Sequence, residues 1–203
     1  MSAAPRVVLA SRSPARLPPL RAAGIDPEVV VSGFDEDSID LSDPAELVAA
    51  LARAKAESVA AGLPEGDVLV IGCDSVLDFE GEVHGKPSSP EQAAERWRRI
   101  RGRSGVLRTG HHLVLRRGGQ VSSRTAVEST RVWFAELDDE EIAAYVATGE
   151  PVEVAGGFTI DGLGGAYITR LDGDPHAVVG ISLPLLRTMV GELGLAWHSL
   201  WRR

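Results

Sequence analysis

Residues 7–16 read VVLASRSPAR, an apolar run that passes directly into two serines, a proline and two arginines. Consecutive apolar residues predict a short strand that is covered on both faces, as in an α/β sheet. The stretch VLVIGCDS at residues 68–75 repeats the pattern, with a second strand over 68–71 and polar groups after it. Together they predict an α/β fold in which both strands end in polar clusters, where open α/β sheets bind their ligands.

Helical spacing of apolar residues and capping signals predict helices after these strands. The predicted helices cover residues 42–63, residues 88–102, a short segment after the capping-box pair Asp138 and Glu141, and residues 182–194. Ser13 and Pro14 also favour a helix start, but Pro18 and Pro19 follow within it, so that helix is kinked or begins late.

The second half of the chain contains a hairpin pattern and a glycine-rich segment. Residues 105–117 and 120–136 alternate apolar and polar side chains around Gly118 and Gly119, which predicts a β-hairpin. Residues 155–173 contain many glycines, which predicts a loop-rich region that turns sharply or contacts a ligand.

Composition excludes several classes of protein. The chain has 203 residues, 44% of them hydrophobic, so it can bury a sizeable core. Its formal net charge of −8 argues against a nucleic-acid or anionic-membrane surface, and any anionic ligand must be met by local cations. The single cysteine, Cys73, excludes an internal disulfide, and no apolar segment is long enough to span a bilayer. We therefore expect a cytoplasmic protein without nucleic-acid or membrane partners.

The polar cluster after the first strand is a candidate phosphate site. Ser11, Ser13 and Arg16 could all donate hydrogen bonds to an anion at a strand-to-helix turn. The alternative is that Ser13 only caps a helix and Arg16 is solvated, and periodicity does not decide between the two.

Asp74 is the stronger signal because it directly follows an apolar strand. An unpaired carboxylate would be costly to bury there, so we expect a metal ion, a cation or a catalytic water beside it. The alternative is a structural carboxylate that caps the following turn. Cys73, within the apolar strand end, is interpreted as a small buried residue rather than a nucleophile.

Three other motifs do not carry the chemistry that they resemble. The segment around Lys86 lacks the spacing and the Ser or Thr of a phosphate-binding P-loop, and GLGGAY at 162–167 does not follow a buried strand and open a helix. His111 and His112 are adjacent in a predicted strand, so their side chains point to opposite faces and do not share a metal ion.

The motifs taken together resemble the Maf family of nucleoside triphosphate pyrophosphatases, from Leu9 to about Leu193. The match consists of LASRSPAR at 9–16, Asp35-Glu36, Lys55 in ARAKA, Gly72-Cys73-Asp74-Ser75, Gly85-Lys86-Pro87, Thr109-Gly110, Tyr145 with Thr148-Gly149-Glu150-Pro151, Ala155-Gly156-Gly157 and Val179-Gly180. Each motif is weak alone, but their order and spacing make a specific match.

The resemblance implies hydrolysis between the α- and β-phosphates of a nucleoside triphosphate, with a divalent metal, Mg²⁺ or alternatively Mn²⁺ or Co²⁺. It implies three catalytic residues, with Asp74 as proton acceptor and Lys55 and Lys86 beside it. The implied phosphate contacts come from Ser11, Ser13, Arg16, Lys55 and Lys86, and the implied metal ligands are Asp74 and Glu36. Glu36 would also help to position the substrate or the attacking water.

Three positions associated with the choice of nucleobase depart from the family pattern. Ala15 follows Ser-Pro where an arginine or aromatic residue is common, Ser75 replaces threonine, and Asp161 replaces glutamine or glutamate. These residues line the predicted substrate pocket, but their departures leave the preferred base open.

The resemblance also implies the architecture and two functional readings. The implied fold is one domain over residues 1–203, with a mixed twisted sheet flanked by helices. The domain would have two lobes with the active cleft between them. The resemblance also implies a homodimer. We expect a housekeeping pyrophosphatase because Lys55, Asp74 and Lys86 occur together. The alternative is a nucleotide-binding regulator of cell division and septum formation without significant turnover, and a degenerate paralogue is a third reading.

Overall fold

Parallel and antiparallel strands form one sheet in the computed structural model, which describes residues 4–202. Within that range the strands are β1 (Arg6–Ala10), β2 (Glu28–Val29), β3 (Val68–Phe79), β4 (Glu82–His84), β5 (Ser104–Arg117), β6 (Gln120–Phe134) and β7 (Ile168–Asp172). Their order is β2-β1-β3-β5-β6-β7, with β4 paired to β3. Strand β1 runs parallel to β2 and β3, whereas β4 and β7 are antiparallel to β3 and β6. The predicted α/β class with a mixed sheet and flanking helices is confirmed.

The four helices predicted over residues 42–63, over 88–102, after Asp138 and over 182–194 are present and begin within two residues of the expected starts, whereas the helix over Pro175–Val179 was not predicted. The helices are α1 (Leu17–Ala22), α2 (Pro44–Gly62), α3 (Pro90–Ile100), α4 (Asp139–Ala147), α5 (Pro175–Val179) and α6 (Leu183–Glu192). The capping box of Asp138 and Glu141 is present at α4. Helix α1 begins late, after a 3₁₀ turn over Pro14–Arg16, so Pro18 falls in a first helical turn that needs no N–H donor. No helix of the described residues is long and apolar enough to cross a membrane.

The chain divides into two compact units. The first contains residues 4–74, 109–128 and 180–202. Residues 7–10 of β1 and 68–74 of β3 are buried on both faces because helices cover each side: Leu9 packs with Leu20 of α1 and Leu186 of α6, whereas Val8 packs with Val59 of α2. This explains the all-apolar runs, since a strand with two buried faces has no solvent-facing side.

The second unit contains residues 75–108 and 129–179. Its core is centred on Trp97 of α3, which makes edge-to-face contacts with Phe134, Tyr145 and Tyr167 at centroid distances of 5.7, 5.4 and 5.9 Å. Aromatic pairs favour this geometry, so α3, α4 and the sheet are joined through one indole ring.

The expected end of the second strand at residue 71 is wrong. Strand β3 continues through residues 72–75 to Phe79, so Asp74 lies within a strand and caps no turn. Residues 72–75 stay extended as part of β3, whose pairing with β1 ends at Gly72, and pairing within the sheet outweighs the turn propensity of glycine and aspartate.

The hairpin prediction is confirmed, and the loop prediction is confirmed in part. Gly118 and Gly119, between β5 and β6, both have positive φ, at 57° and 79°, as the two-residue turn requires. The glycine-rich segment contains 3₁₀ turns at Ala155–Gly157 and Leu163–Tyr167, but its last residues form β7, which sequence analysis missed.

Candidate active site

Helix α2 approaches the sheet of the first unit closely at two glycines. A Cβ at Gly72 of β3 would collide with the carbonyl oxygen of Ala52, and a Cβ at Gly110 of β5 would collide with that of Val48. The absence of both side chains therefore allows the helix backbone to lie directly on the strands. This close approach brings Lys55 of α2 against β3.

Lys55 forms the centre of a charge cluster with two carboxylates. Its Nζ lies 2.6 Å from Oδ1 of Asp74 and 3.0 Å from Oε1 of Glu36. The side chains of Lys55 and Asp74 are 9% and 11% exposed, whereas that of Glu36 is 50% exposed. The first pair is thus a buried ion pair, and Glu36 approaches it from the solvent side.

Asp74 has the electrostatics of a proton acceptor. Burial raises the pKa of its carboxyl above the ordinary value, while the charges of Lys55 and Arg16 oppose that rise. A general base works best when its pKa lies near the operating pH, so an upward shift suits a carboxylate to that role.

Ser11 and Arg16 form a second buried polar group. Arg16 donates through Nη1 to Oγ of Ser11 and through Nε to the carbonyl of Gly180, both at 2.9 Å. The backbone N–H of Ser13 also donates to Oγ of Ser11, at 3.1 Å. Because the two acceptor positions of the hydroxyl are occupied, its proton is left to donate elsewhere.

The structure contradicts both parts of the alternative for this turn, namely that Ser13 only caps a helix and that Arg16 is solvated. Arg16 is 8% exposed rather than solvated. The half-buried Ser13 precedes a 3₁₀ turn and makes no side-chain capping bond, and its backbone N–H donates to Ser11.

Strand register brings the two polar groups to the same level of the sheet. Strands β1 and β3 are parallel neighbours, and Ala10 pairs with Gly72. Ser11 and Asp74 therefore lie just beyond that pair of residues, and Arg16 is close enough for its charge to oppose the rise in the pKa of Asp74. The structure thus assembles five predicted site residues in the first unit: Ser11, Arg16, Glu36, Lys55 and Asp74.

The remaining predicted residues have different settings. Ala15 is half-buried in the 3₁₀ turn of the first unit. Lys86, Ser75 and Asp161 belong to the second unit: Ser75 is half-buried in β3, and Lys86 and Asp161 are exposed.

A buried arginine supports the segment that carries Lys86. The carbonyl of Gly85 accepts from Nη1 of Arg96 at 2.7 Å and from the N–H of Gly156 at 3.1 Å. Arg96 is 7% exposed and forms no ion pair among the described residues. Sequence analysis missed this residue, although its position one helical turn from Ala93 and Ile100 places a charge on the apolar stripe of α3.

Glu150 fixes the loop that carries Asp161. One carboxylate oxygen accepts from Tyr145 Oη at 2.7 Å, Thr159 Oγ1 at 2.6 Å and the N–H of Gly164 at 2.9 Å, and the other accepts from the N–H of Leu163 at 2.9 Å. Partial burial would raise the pKa of Glu150, but these hydrogen bonds outweigh it and hold the pKa below its ordinary value. Both flanks of Asp161 are therefore held by one side chain.

The carboxylates around Lys55 fit a hard cation in part. Asp74 and Glu36 each use one oxygen on Lys55, and their second oxygens make no hydrogen bond within the described residues. No group of three or more acidic, histidine or cysteine side chains within residues 4–202 could hold a metal ion. Mg²⁺ binds through one or two carboxylates with waters and substrate phosphates, and that donor set matches what Asp74 and Glu36 offer.

The interpretation of Cys73 and of the histidine pair is confirmed. Burial raises the pKa of the Cys73 thiol to about 12, which leaves no thiolate for nucleophilic attack. His111 and His112 are 0% and 2% exposed and bind different partners.

The fold and this site define a member of the Maf family. The family model described as "Maf-like protein" matches residues 6–193, so the chain belongs to that family. It is 56% identical over 196 residues to a protein of Streptomyces avermitilis, covering 97% of this chain and 94% of the relative. It is 52% identical to a protein of Cutibacterium acnes (96% and 93% covered) and 48% identical to one of Mycobacterium ulcerans (97% and 96%). All three relatives are named nucleoside triphosphate pyrophosphatase.

Proposed function

We propose that this protein hydrolyses a nucleoside triphosphate between the α- and β-phosphates, releasing a nucleoside monophosphate and pyrophosphate. The observation that carries this proposal is the buried Lys55–Asp74 pair beside the Ser11–Arg16 group, in a chain of the Maf family. The names of the full-length relatives agree with it.

Asp74 accepts the proton of the attacking water in this proposal. Its raised pKa suits the carboxylate to take a proton. The positive charge of Lys55, which contacts it, can then act on the phosphate. Lys55, Arg16 and the hydroxyl proton of Ser11 then stabilise negative charge on the phosphate oxygens. In phosphoryl-transfer chemistry, positioning and electrostatic stabilisation supply most of the rate enhancement.

Mg²⁺ held by Asp74 and Glu36 would screen the phosphate charge in this reaction. Manganese and cobalt offer the same charge with oxygen ligands, so the metal preference belongs to the proposal. Removal of divalent ions with a chelator is expected to abolish pyrophosphate release, and added Mg²⁺ is expected to restore it.

Lys86 and the three base-pocket positions complete the proposed substrate contacts. Lys86 is exposed and forms no ion pair among the described residues, so its charge is available to a phosphate. Ala15, Ser75 and Asp161 would contact the nucleobase, and Asp161 is held in a fixed loop by Glu150. An acidic side chain favours bases that present hydrogen-bond donors.

The experiment is pyrophosphate release from a panel of canonical and modified nucleoside triphosphates with Mg²⁺. Asp74→Asn is expected to lower the rate by about a hundredfold or more, because general bases contribute that much. Asp78→Asn is the matched control: it changes an aspartate of the same strand that is paired with Arg108 instead. Its rate is expected to stay near that of the wild type.

The competing function is nucleotide binding that regulates cell division without turnover. It would be favoured if folded wild-type protein bound nucleotides tightly and released no pyrophosphate from any member of the panel. Loss of turnover in both aspartate variants would also contradict the proposed role of Asp74. The loss would then reflect destabilisation of the protein rather than removal of the general base.

We also propose a homodimer in the cytoplasm as the working form of the protein. Light scattering of the purified chain tests the first statement, and fractionation of expressing cells tests the second. A monomer at micromolar concentration would contradict the dimer without affecting the proposed reaction.

A further inference from the structure

His111 of β5 is fully buried and uses both ring nitrogens. Its Nε2 accepts a hydrogen bond from the N–H of Ser182 at 2.8 Å, and its Nδ1 lies 3.1 Å from the carbonyl oxygen of Thr109. A ring nitrogen that accepts from an N–H carries no proton, so the proton resides on Nδ1 and is donated to Thr109. The backbone of Ser182 is thus anchored to β5 by a neutral imidazole.

Ser182 is close in sequence to the carbonyl group that binds Arg16. Gly180, two residues before Ser182, accepts the Nε–H of Arg16 at 2.9 Å. Its φ of +110° is one that only glycine adopts readily, so this carbonyl is presented by an unusual backbone path. Ser182 in turn caps α6 by accepting from the N–H of Leu185 at 3.2 Å. The segment over 180–182 therefore has α6 on one side and His111 on the other.

We propose that His111 is a positioning residue for the phosphate-binding guanidinium of Arg16, acting through the backbone of residues 180–182. This inference rests on the proposed function, because it assumes that Arg16 contacts a phosphate. A guanidinium recognises phosphate through directed N–H groups, so its orientation matters as well as its charge. Nε fixes that orientation on Gly180, and His111 fixes where Gly180 lies.

His112 provides a matched control in the same strand. It is equally buried, but its Nδ1 lies 2.7 Å from Oγ1 of Thr125, and its Nε2 lies 3.7 Å from Glu57. None of the partners of His112 binds Arg16. Replacement of either histidine by leucine removes a buried imidazole of similar size, so the two variants share the packing cost and differ in the link to Arg16.

The experiment compares His111→Leu with His112→Leu, each in the wild-type and the Arg16→Lys background. Arg16→Lys keeps the positive charge but lacks the Nε–H that binds Gly180. We measure kcat and KM for pyrophosphate release and, separately, the dissociation constant for inorganic pyrophosphate. We expect His111→Leu to lower kcat/KM by roughly tenfold to a hundredfold, the cost of a small misplacement of a positioning group. We expect no further loss in the Arg16→Lys background, because the contact with Gly180 is already absent there.

A conservative variant separates the hydrogen bond from packing. The side-chain oxygen of a glutamine at position 111 can accept the N–H of Ser182, so His111→Gln is expected to recover most of the activity that His111→Leu loses. The same pattern is expected for pyrophosphate binding. Thermal unfolding of every variant confirms that the comparison is made on folded protein.

Two results would overturn the inference. Equal losses in the two leucine variants would show a cost of core packing only, and losses that multiply fully with Arg16→Lys would show that His111 does not act through Arg16. Failure of the proposed function is distinct: the wild type would release no pyrophosphate from any triphosphate, while the binding measurements still report on Arg16. If the wild type neither hydrolyses nor binds, both proposals are overturned.

Discussion

Replacement of Lys55 by methionine is expected to destabilise the protein through Asp74. Methionine keeps much of the length and the apolar stem of lysine, so the packing of α2 changes little, but the ammonium 2.6 Å from Asp74 is lost. The side chain of Glu36 is 50% exposed and can be solvated, whereas that of Asp74 is 11% exposed and is solvated far less. Loss of one partner of a buried ion pair costs about 3–5 kcal/mol because the other charge stays buried.

The cost is expected to depend on pH with a defined sign. Burial already raises the pKa of Asp74 above the ordinary value of 3.8, and the loss of Lys55 raises it further. Between the unfolded-state and native pKa values the native protein binds more protons, so its stability falls as pH rises, by at most about 1.4 kcal/mol per pH unit. A full cost of about 3–5 kcal/mol therefore develops over roughly two to four pH units and then levels off.

The assay is urea unfolding followed by tryptophan fluorescence at a series of pH values, with a chelator present. The double variant Lys55→Met/Asp74→Asn is expected to regain most of the stability and to lose the pH dependence. Lys86→Met is the control, because the same substitution at an exposed lysine leaves no buried charge. The reasoning is refuted if Lys55→Met costs less than about 1 kcal/mol at pH 8, or if its cost is the same at all pH values.

Three further substitutions test other parts of the structure. Glu150→Gln removes a carboxylate whose pKa is held below 4.5, so the wild type should lose stability as pH falls below that value while the variant shows a flatter acid profile in circular dichroism. Gly110→Ala forces a methyl group against α2 and should cost about 1–3 kcal/mol in urea unfolding. Gly191→Ala, which meets open space on α6, should cost nothing, and an equal effect of both would contradict the close approach. Arg96→Met removes a hydrogen bond to the segment of Lys86 and should raise KM for the triphosphate more than it lowers kcat. An unchanged KM would show that Arg96 does not position Lys86.

Features governed by neighbours in sequence could be predicted from the sequence. The Gly118-Gly119 turn requires positive φ at both residues, and the capping box at α4 requires a side chain only three residues away. Each signal lies within a few residues of the chain, so tertiary packing does not change the local structure that it predicts. Arg16 and Asp74 could be predicted as site residues for the same reason, since each follows an apolar run closely in sequence.

Features governed by distant partners could not be predicted. Residues 72–75 favour a turn when taken alone, but they stay extended as part of the long strand β3 of the sheet. The burial of Arg96 depends on a carbonyl at Gly85, and the four bonds of Glu150 depend on Thr159, Leu163, Gly164 and the hydroxyl of Tyr145. These partners come together only in the folded chain. The spacing of residues within one helix shows that a charge such as Arg96 lies on the apolar stripe, but it does not show which group that charge binds.

Gly72 and Gly110 show how the fold of the first unit brings Lys55 and Asp74 together. Gly72 precedes Asp74 in β3 and Gly110 follows Thr109 in β5, and each admits the backbone of α2 where a side chain would exclude it. The Lys55 ammonium can contact a buried carboxylate in mid-strand only because the helix lies that close to the sheet. The same packing that excludes water from Asp74 therefore both raises its pKa and supplies the cation that opposes the rise. It follows that the ionisation of the candidate base is set by the distance between α2 and β3, and a change in that distance alters activity even when every charged side chain is kept.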